Sequence, residues 1–192
     1  MKYDVILADP PWSFEAWDDN IGPNGRTPAK HYKVMKPDEL ATLQIKTITA
    51  DNCVLFLWCV WPSLYSAVPI VLDGWGFTYR TIGWVWVKAN PTGFGHFMGL
   101  GYYTRANTEP CLIAVKGEMP VATKDVLALI YSPVREHSRK PDEQYNKIER
   151  LYPNKRYLEL FARHKRDGWT SLGDGIDGND ITQELHRLGM AK

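Results

Sequence analysis

The apolar run Tyr3 to Ala8 (Y-D-V-I-L-A) passes directly into Asp9-Pro10-Pro11-Trp12, and this junction constrains the fold more than any other feature. Without polar/apolar alternation, such a run reads as a strand buried on both faces. Two prolines in succession cannot supply ladder donors, so the strand has to stop at Asp9. A central strand covered on both sides is therefore expected, with a carboxylate at its carboxyl end.

The rest of the chain continues in alternating elements. Residues 13 to 35 are polar, hold Gly22, Pro23, Gly25 and Pro28, and read as a long loop of the kind that in compact domains is functional or mobile. A short helix is expected from Pro37 to Leu43, with Asp38 and Glu39 near its N-terminal dipole. A buried strand follows from Cys53 to Trp58, then a helix opened by Pro62, kinked at Pro69 and stopped near Asp73 by Gly74 or Gly76. Phe77 to Val87, Cys111 to Val115, Val126 to Tyr131 and Tyr157 to Phe161 read as further strands. Pro141 to Leu151 reads as a helix with Glu143, Lys147 and Arg150 outward and Tyr145, Ile148 and Leu151 inward. A short helix is expected after Asp180. Strands alternating with helices and long loops predict an α/β fold, a mostly parallel sheet with helices on both faces. Ligands then belong at the carboxyl ends of the strands, where Asp9, the 89–109 loop, the 132–140 loop and Arg163 can converge. At 192 residues and 44% hydrophobic content the expectation is one domain, 1–192, with 180–192 as a C-terminal helical tail.

A net charge of +1 excludes a polycation, so nucleic acid would need a local patch. Residues 135 to 166 supply one, with ten Lys/Arg against five Asp/Glu. Arg105, with Tyr102 and Tyr103, is a further candidate strand contact. Cys53, Cys59 and Cys111 form no C-x-x-C pair, which argues against a zinc site or a disulfide framework. A reducing, cytoplasmic location is expected, with no membrane span and no metal. The many Trp and Tyr residues fit either an aromatic core or stacking faces for bases.

Asp-Pro-Pro-Trp suits transfer to a weakly nucleophilic amine. The carboxylate accepts one N–H, the proline-fixed carbonyl of Pro10 is aimed at the other, and Trp12 offers a π-face to an extruded base. From the residues alone, an Asp cap and a proline turn would look the same. The aromatic after a buried strand favours the site.

The ordered motifs go further. H-Y-K-V-M-K-P-D-E-L (31–40), V-L-F-L-W (54–58), W-V-W-V-K-A-N (84–90) and E-P-C-L-I-A-V-K-G (109–117) follow the first strand. H-S-R-K-P-D-E-Q-Y (137–145), I-E-R-L-Y-P (148–153), L-E-L-F-A-R (158–163) and W-T-S-L-G (169–173) complete the series. In this order the chain, from about Tyr3 to Gly178, resembles the METTL-type family of N6-adenine methyltransferases. The resemblance implies a Rossmann-like methyltransferase fold, circularly arranged so that the catalytic strand precedes the cofactor strand. The absence of a G-x-G after the first strand agrees with that order. It implies S-adenosylmethionine as cofactor, held by Asp9, Lys140, Glu159, Arg163 and Asp174. Glu159 and Arg163 would take the ribose end and Lys140 the methionyl carboxylate. Asp174 stands where the family often has Asn, which leaves the adenosine pocket less defined. The chemistry of Asp-Pro-Pro-Trp assigns catalysis to Asp9, Pro10, Pro11 and Trp12, with Trp12 also a substrate contact; the resemblance adds Tyr32 and Glu109 as substrate contacts, and Arg105 and the strand-end residues Lys88 and Asn90 stand as further candidates. On residue grounds Glu159–Arg163 also reads as a surface ion pair, Lys140 as a solvated helix start, Tyr32 as a plain loop residue and Glu109 as a solvated loop end. The partner implied is DNA or RNA carrying the target adenine, with DNA favoured for a compact domain and a homodimer left open. A catalytically silent nucleic-acid-binding subunit is the alternative, and intact Asp9, Trp12 and Lys140 weigh against it.

Overall fold

Tyr3–Ala8 forms β1, and its side chains alternate between two cores, Val5 and Leu7 on one face, Ile6 and Ala8 on the other. The computed structural model describes residues 1–13, 34–99, 103–136 and 139–190. Six more strands join β1: β2 (Thr49–Trp58), β3 (Thr78–Ala89), β4 (Thr108–Lys116), β5 (Leu129–Pro133), β6 (Tyr157–Leu160) and β7 (Trp169–Leu172). Their order across the sheet is β5-β3-β4-β2-β1-β6-β7. β4 runs antiparallel to both of its neighbours, β2 and β3, and the other pairings are parallel. One edge of the sheet therefore gathers the carboxyl ends of β1, β2, β3, β5, β6 and β7, together with the start of β4. Asp9, Lys88 and Glu109 all lie along that edge.

One face of the sheet is covered by α1 (Pro37–Thr42), α2 (Ile45–Ile48), α4 (Val68–Trp75) and α7 (Ile181–Met190), which bury Leu40, Ile48, Val71, Leu72 and Leu185 against it. The other face carries α5 (Glu143–Leu151) and an aromatic layer. There Phe56 stacks on Trp84 with ring centroids 5.2 Å apart, and Trp58 meets the edges of Trp84 and Trp86 at 6.4 and 6.5 Å. Trp12, Trp58, Trp75, Trp84, Trp86 and Trp169 are all buried, so the Trp content serves mainly the interior. Two short helices complete the chain, α3 (Ser63–Ser66) and α6 (Asp174–Asp177). Among the described residues no helix is long and apolar enough to cross a membrane.

Several boundaries differ from the sequence reading for physical reasons. The single kinked helix expected from Pro62 is two helices, broken at Ala67, and Pro69 falls in the first turn of α4, where no intrahelical N–H bond is lost. Gly74 does not stop that helix. The stop is Gly76, left-handed at φ 76°, while Gly74 lies inside α4 against α1. A Cβ on Gly74 would sit 2.5 Å from the Ala41 carbonyl oxygen and 2.6 Å from its Cβ, so the missing side chain lets the two helices meet. On α5, Lys147 is buried rather than outward, its stem packed and its Nζ donating to the Leu127 carbonyl at 2.8 Å. β5 begins three residues later than the expected strand. β7, four residues long, was legible only as a motif.

Replacing Gly74 by alanine is expected to lower stability by about 1–3 kcal/mol through overpacking at the α1–α4 contact. Urea denaturation of G74A against the parent measures it, and an unchanged midpoint would mean that the helices separate without cost.

Candidate active site

Asp9 stands where β1 ends. The following turn is closed locally: the Trp12 N–H donates to the Pro10 carbonyl at 2.8 Å, and the Met35 N–H donates to the Pro11 carbonyl at 2.9 Å. The Pro10 carbonyl, expected to face a substrate amine, thus spends one acceptor position on its own turn. Trp12 is also used otherwise than expected. Its ring is 5% exposed, within the core, and its indole N–H donates to the Trp58 carbonyl at 2.8 Å. It braces the end of β1 against the end of β2 instead of offering an open face to a base. Trp58 extends the brace, since its own indole N–H donates to Gln144 Oε1 on α5 at 2.7 Å.

The Asp9 carboxylate is met by a buried ammonium. Lys140 Nζ lies 2.9 Å from Oδ1 and 2.8 Å from Oδ2 of Asp9. The same nitrogen is 2.9 Å from Glu109 Oε1, and Lys88 Nζ is 2.9 Å from Glu109 Oε2. Charges therefore alternate along Asp9, Lys140, Glu109 and Lys88, crossing from β1 to β4 to β3. The Lys140 and Glu109 side chains are only 7% and 8% exposed, and 27% of the Asp9 side chain remains accessible. Lys140 also lies over the Trp58 ring at 5.5 Å, and Lys88 over Trp86 at 5.1 Å. Glu109 is no solvated loop end, and Lys140 is no solvated helix start. Lys140, expected to await a cofactor carboxylate, is here engaged by two protein carboxylates, because neither could be buried without a cation.

The two acids titrate apart. Burial among packed atoms, together with the Glu109 charge, outweighs Lys140 and raises Asp9 above the usual carboxylate range. Burial alone would raise Glu109 too, but Lys140 and Lys88 together hold it below that range. Burial works against the Lys140 charge, and Asp9 and Glu109 overcome it, so that its ammonium is kept well above the ordinary value. Asp9 keeps acceptor capacity, since a carboxylate has about four lone-pair sites and Lys140 occupies two. Burial pushes Cys59 up to about 12, and Cys111 is also raised well up by burial, so neither beside this site supplies a thiolate nucleophile.

A cleft of about 290 Å³ opens from Asp9 along the end of β6, lined by Trp58, Lys140, Tyr145, Glu159 and Arg163, with Arg139, Lys165 and Arg166 at its wall. Both carboxylate oxygens of Glu159 accept from the Tyr145 hydroxyl, each at 3.0 Å. Tyr145 is itself wedged between the Arg166 guanidinium, 4.2 Å from its ring, and the edge of Trp169 at 5.3 Å. Burial lifts Glu159 to about 7, the Tyr145 hydrogen bond opposing and the Asp9 charge adding to the rise. Beside the cleft, Gly173 packs on the backbone of Ala162, where a Cβ would come 2.6 Å from the Ala162 nitrogen.

Of the residues expected at the site, Asp9, Lys140, Glu159 and Arg163 share the cleft, and Glu109 and Lys88 stand behind Lys140. Asp174 is exposed at the start of α6 and does not line the cleft, and Arg105 is exposed on the segment before β4. Asn90 is occupied in the turn after β3, donating to the Phe94 carbonyl at 3.0 Å. Tyr32, Tyr102 and nearly all of the 13–35 loop lie outside the described residues. Sequence reasoning missed Tyr145 as the partner of Glu159, and Trp58 and Gln144 as the brace. An aromatic closing an apolar strand, as Trp58 closes β2, was the available signal. The basic stretch 135–166 is largely paired: Arg135 and Arg139 with Asp142, Lys147 with Glu143, Arg150 with Asp125, Arg156 with Asp4 and Arg166 with Glu149.

The profile of the MT-A70 family matches residues 3–175. The chain belongs to the MT-A70 family. The MT-A70 family is one of N6-adenine methyltransferases, and its methyltransferases use S-adenosylmethionine. The chain is 32% identical to the type II methyltransferase M.MunI of Mycoplasma sp. over 197 residues, which cover 94% of this chain and 80% of that protein. It is 33% identical to the MT-A70-like N(6)-adenosine-methyltransferase of Arabidopsis thaliana, across 95% of this chain and 25% of that protein. The human METTL3 catalytic subunit is likewise 33% identical, across 92% of this chain and 29% of its own length. The chain thus spans only about a quarter of these plant and human MT-A70 relatives.

Replacing Lys140 by methionine leaves the buried Glu109 and the half-buried Asp9 short of a cation and is expected to cost about 3–5 kcal/mol at pH 7. The sign with pH follows. Without Lys140 the folded-state pKa of Asp9, already raised, rises further above its unfolded value, and Glu109 loses one of the two cations that hold it low. The penalty is then largest where both acids are charged and shrinks as pH falls through the raised Asp9 value. Denaturation of K140M at pH 7.5 and pH 5 measures it; an equal deficit at both values would refute the shared-charge account.

Proposed function

We propose that this chain is an S-adenosylmethionine-dependent methyltransferase acting on the N6 amine of adenine in DNA. One observation carries the reading: the Asp9 carboxylate, at the close of β1 in its Asp-Pro-Pro-Trp turn, forms the wall of a cleft whose other end holds the half-buried acid Glu159. The donors and acceptors there suit the cofactor. Glu159 can accept from both hydroxyls of a ribose, Asp9 is an anion for the methionyl ammonium, and Lys140 and Arg163 bring cationic character for the carboxylate. When bound, S-adenosylmethionine supplies an electrophilic methyl on a sulfonium.

The chain's residues then do the orienting. The lone-pair sites of Asp9 left by Lys140 accept an N–H of the adenine amine and hold its nitrogen toward the cofactor side of the cleft. Trp12, through the Trp58 carbonyl, keeps the turn carrying Asp9 fixed. Lys140 keeps Asp9 in one rotamer and balances its charge. Glu109 and Lys88 hold Lys140 in turn. A base within a duplex has to be extruded to reach this cleft. Support for DNA comes from the likeness to the type II methyltransferase, which is matched over 80% of its own chain. The equal identity to the plant and human adenosine methyltransferases keeps RNA as the second reading.

Transfer of labelled methyl from S-adenosylmethionine to DNA and RNA oligomers, followed by nucleoside analysis, tests the proposal. N6-methyladenine from DNA is expected; label confined to RNA adenosine would move the substrate, and label in cytosine or protein alone would end the reading. Asp9→Ala is expected to lower turnover by roughly a hundredfold or more while cofactor affinity changes by less than about tenfold, as for an acceptor lost in the transition state.

Glu159 adds a pH dependence. Its carboxylate is half-protonated near pH 7, and only the charged form accepts from both ribose hydroxyls. Cofactor affinity is expected to rise between pH 6 and pH 8, and Glu159→Gln to flatten that rise. Calorimetric titration at both values measures it, and a rise that persists in E159Q would place the titrating group elsewhere.

A further inference from the structure

We propose that Phe94 is a stacking platform for a nucleobase that flanks the target adenine on the substrate strand. The inference rests on the nucleic-acid reading above and deepens it. β3 ends at Ala89, and the chain turns back at once through residues 90–97. The turn is tied at each step. The Gly93 N–H donates to the Asn90 carbonyl at 2.8 Å, the Asn90 N–H to the Gly95 carbonyl at 3.1 Å, and the Phe97 N–H to the Lys88 carbonyl at 2.9 Å. The Asn90 side-chain amide donates to the Phe94 carbonyl at 3.0 Å, and the Tyr131 hydroxyl donates to the Gly95 carbonyl at 3.3 Å. His96 bridges back to Ala89 and sets its ring edge against Tyr131 at 5.9 Å. Gly93 and Gly95, at φ 81° and 72°, flank Phe94 and make the reversal that puts it at the tip. The result is an aromatic ring 84% exposed on a backbone fixed on both sides. Holding it there in advance reduces the ordering a ligand has to impose.

Its place fits a polyanionic strand. The tip prolongs the carboxyl end of β3, the same edge of the sheet that carries Asp9. From residue 89 to residue 108 the sequence has no Asp or Glu, and Arg105 is its charged residue. β3 is three strand spacings from β1, about 14 Å across the sheet. At about 3.4 Å per stacked base, that separation spans roughly four nucleotides. A base up to that distance from the extruded adenine meets the Phe94 ring, and because every base has a π-face the contact needs no particular sequence.

The test uses the full chain with a DNA oligonucleotide that it methylates, carrying 2-aminopurine in turn at each position up to five on either side of the target. Binding of the parent protein is expected to quench one flanking position. Phe94→Ala should abolish that quench and raise KM for the oligonucleotide by about tenfold. Phe94→Trp should keep both near the parent. Affinity for S-adenosylmethionine and the melting temperature should not change in either variant, the ring being exposed and unpacked. Parental quenching and KM in F94A would overturn the platform. So would an altered oligomeric state in F94A with unaltered DNA affinity, which would assign the ring to a protein contact. Absence of methyl transfer to any nucleic acid by the parent protein is a separate result and would remove the functional reading along with the platform.

Discussion

A single ammonium, Lys140 Nζ, sits within 2.9 Å of carboxylate oxygens from both Asp9 and Glu109, and the arrangement of this end of the molecule depends on it. Two carboxylates brought this close in a packed interior would repel each other and lose hydration that nothing replaces. The lysine lets β1, which runs into Asp9, and β4, which carries Glu109 at its start, place acids on the same edge although β2 separates them. Lys88, from β3, balances the second acid. The ionic chain thus crosses four adjacent strands, and its members are fixed relative to one another by the sheet itself.

The fold makes that chain available for ligands. Because β4 alone runs against the others, its first residues and the last residues of the parallel strands share one edge. Glu109 opens β4 for this reason and faces residues that close β1 and β3. The brace from Trp12 through the Trp58 carbonyl, and from the Trp58 indole to Gln144, links the same edge to α5. α5 carries Tyr145, and Tyr145 holds Glu159 at the end of β6. The two ends of the cleft, Asp9 and Glu159, are therefore positioned by neighbouring strands and by one helix packed over both.

The strands were legible because their apolar runs are long and their boundaries chemically marked, as Pro10-Pro11 mark the end of β1. Asp9, Lys140, Glu159 and Arg163 were legible as a set through ordered motifs rather than through any one residue. The charge relay was not. A lysine before a helix and an acid at a strand start look solvated in sequence, and only the antiparallel placement of β4 brings Glu109 and Lys140 together. Lys147 misled for a related reason: helical periodicity turned it outward, yet its stem is covered and its head reaches the Leu127 carbonyl. Gly74 read as one of two candidate helix stops, beside Gly76, because sequence shows a glycine's freedom of backbone and hides the neighbouring helix that needs its missing side chain. Trp12 looked like a base platform, and its burial beneath the β1–β2 ends makes it a support for the acid three residues before it.

The split between the two acids bears on how an amine can be methylated here. Glu109, held low by two lysines, stays charged at neutral pH and keeps Lys140 charged with it. Asp9, raised by burial and by the Glu109 charge, is the acid of the pair that accepts a proton more readily. An adenine amine is far too weak an acid for such a carboxylate to deprotonate beforehand, so in the proposed reaction Asp9 begins as a hydrogen-bond acceptor that turns the nitrogen lone pair toward the methyl group. Once the nitrogen has gained a fourth bond it becomes strongly acidic, and a carboxylate of raised pKa already hydrogen-bonded to it is suitably placed to take the proton. Lys140 need not move for this, because Glu109 still holds it when the charge on Asp9 disappears. The same pairing that makes a half-buried Asp9 tolerable therefore lets it change charge without dismantling the site.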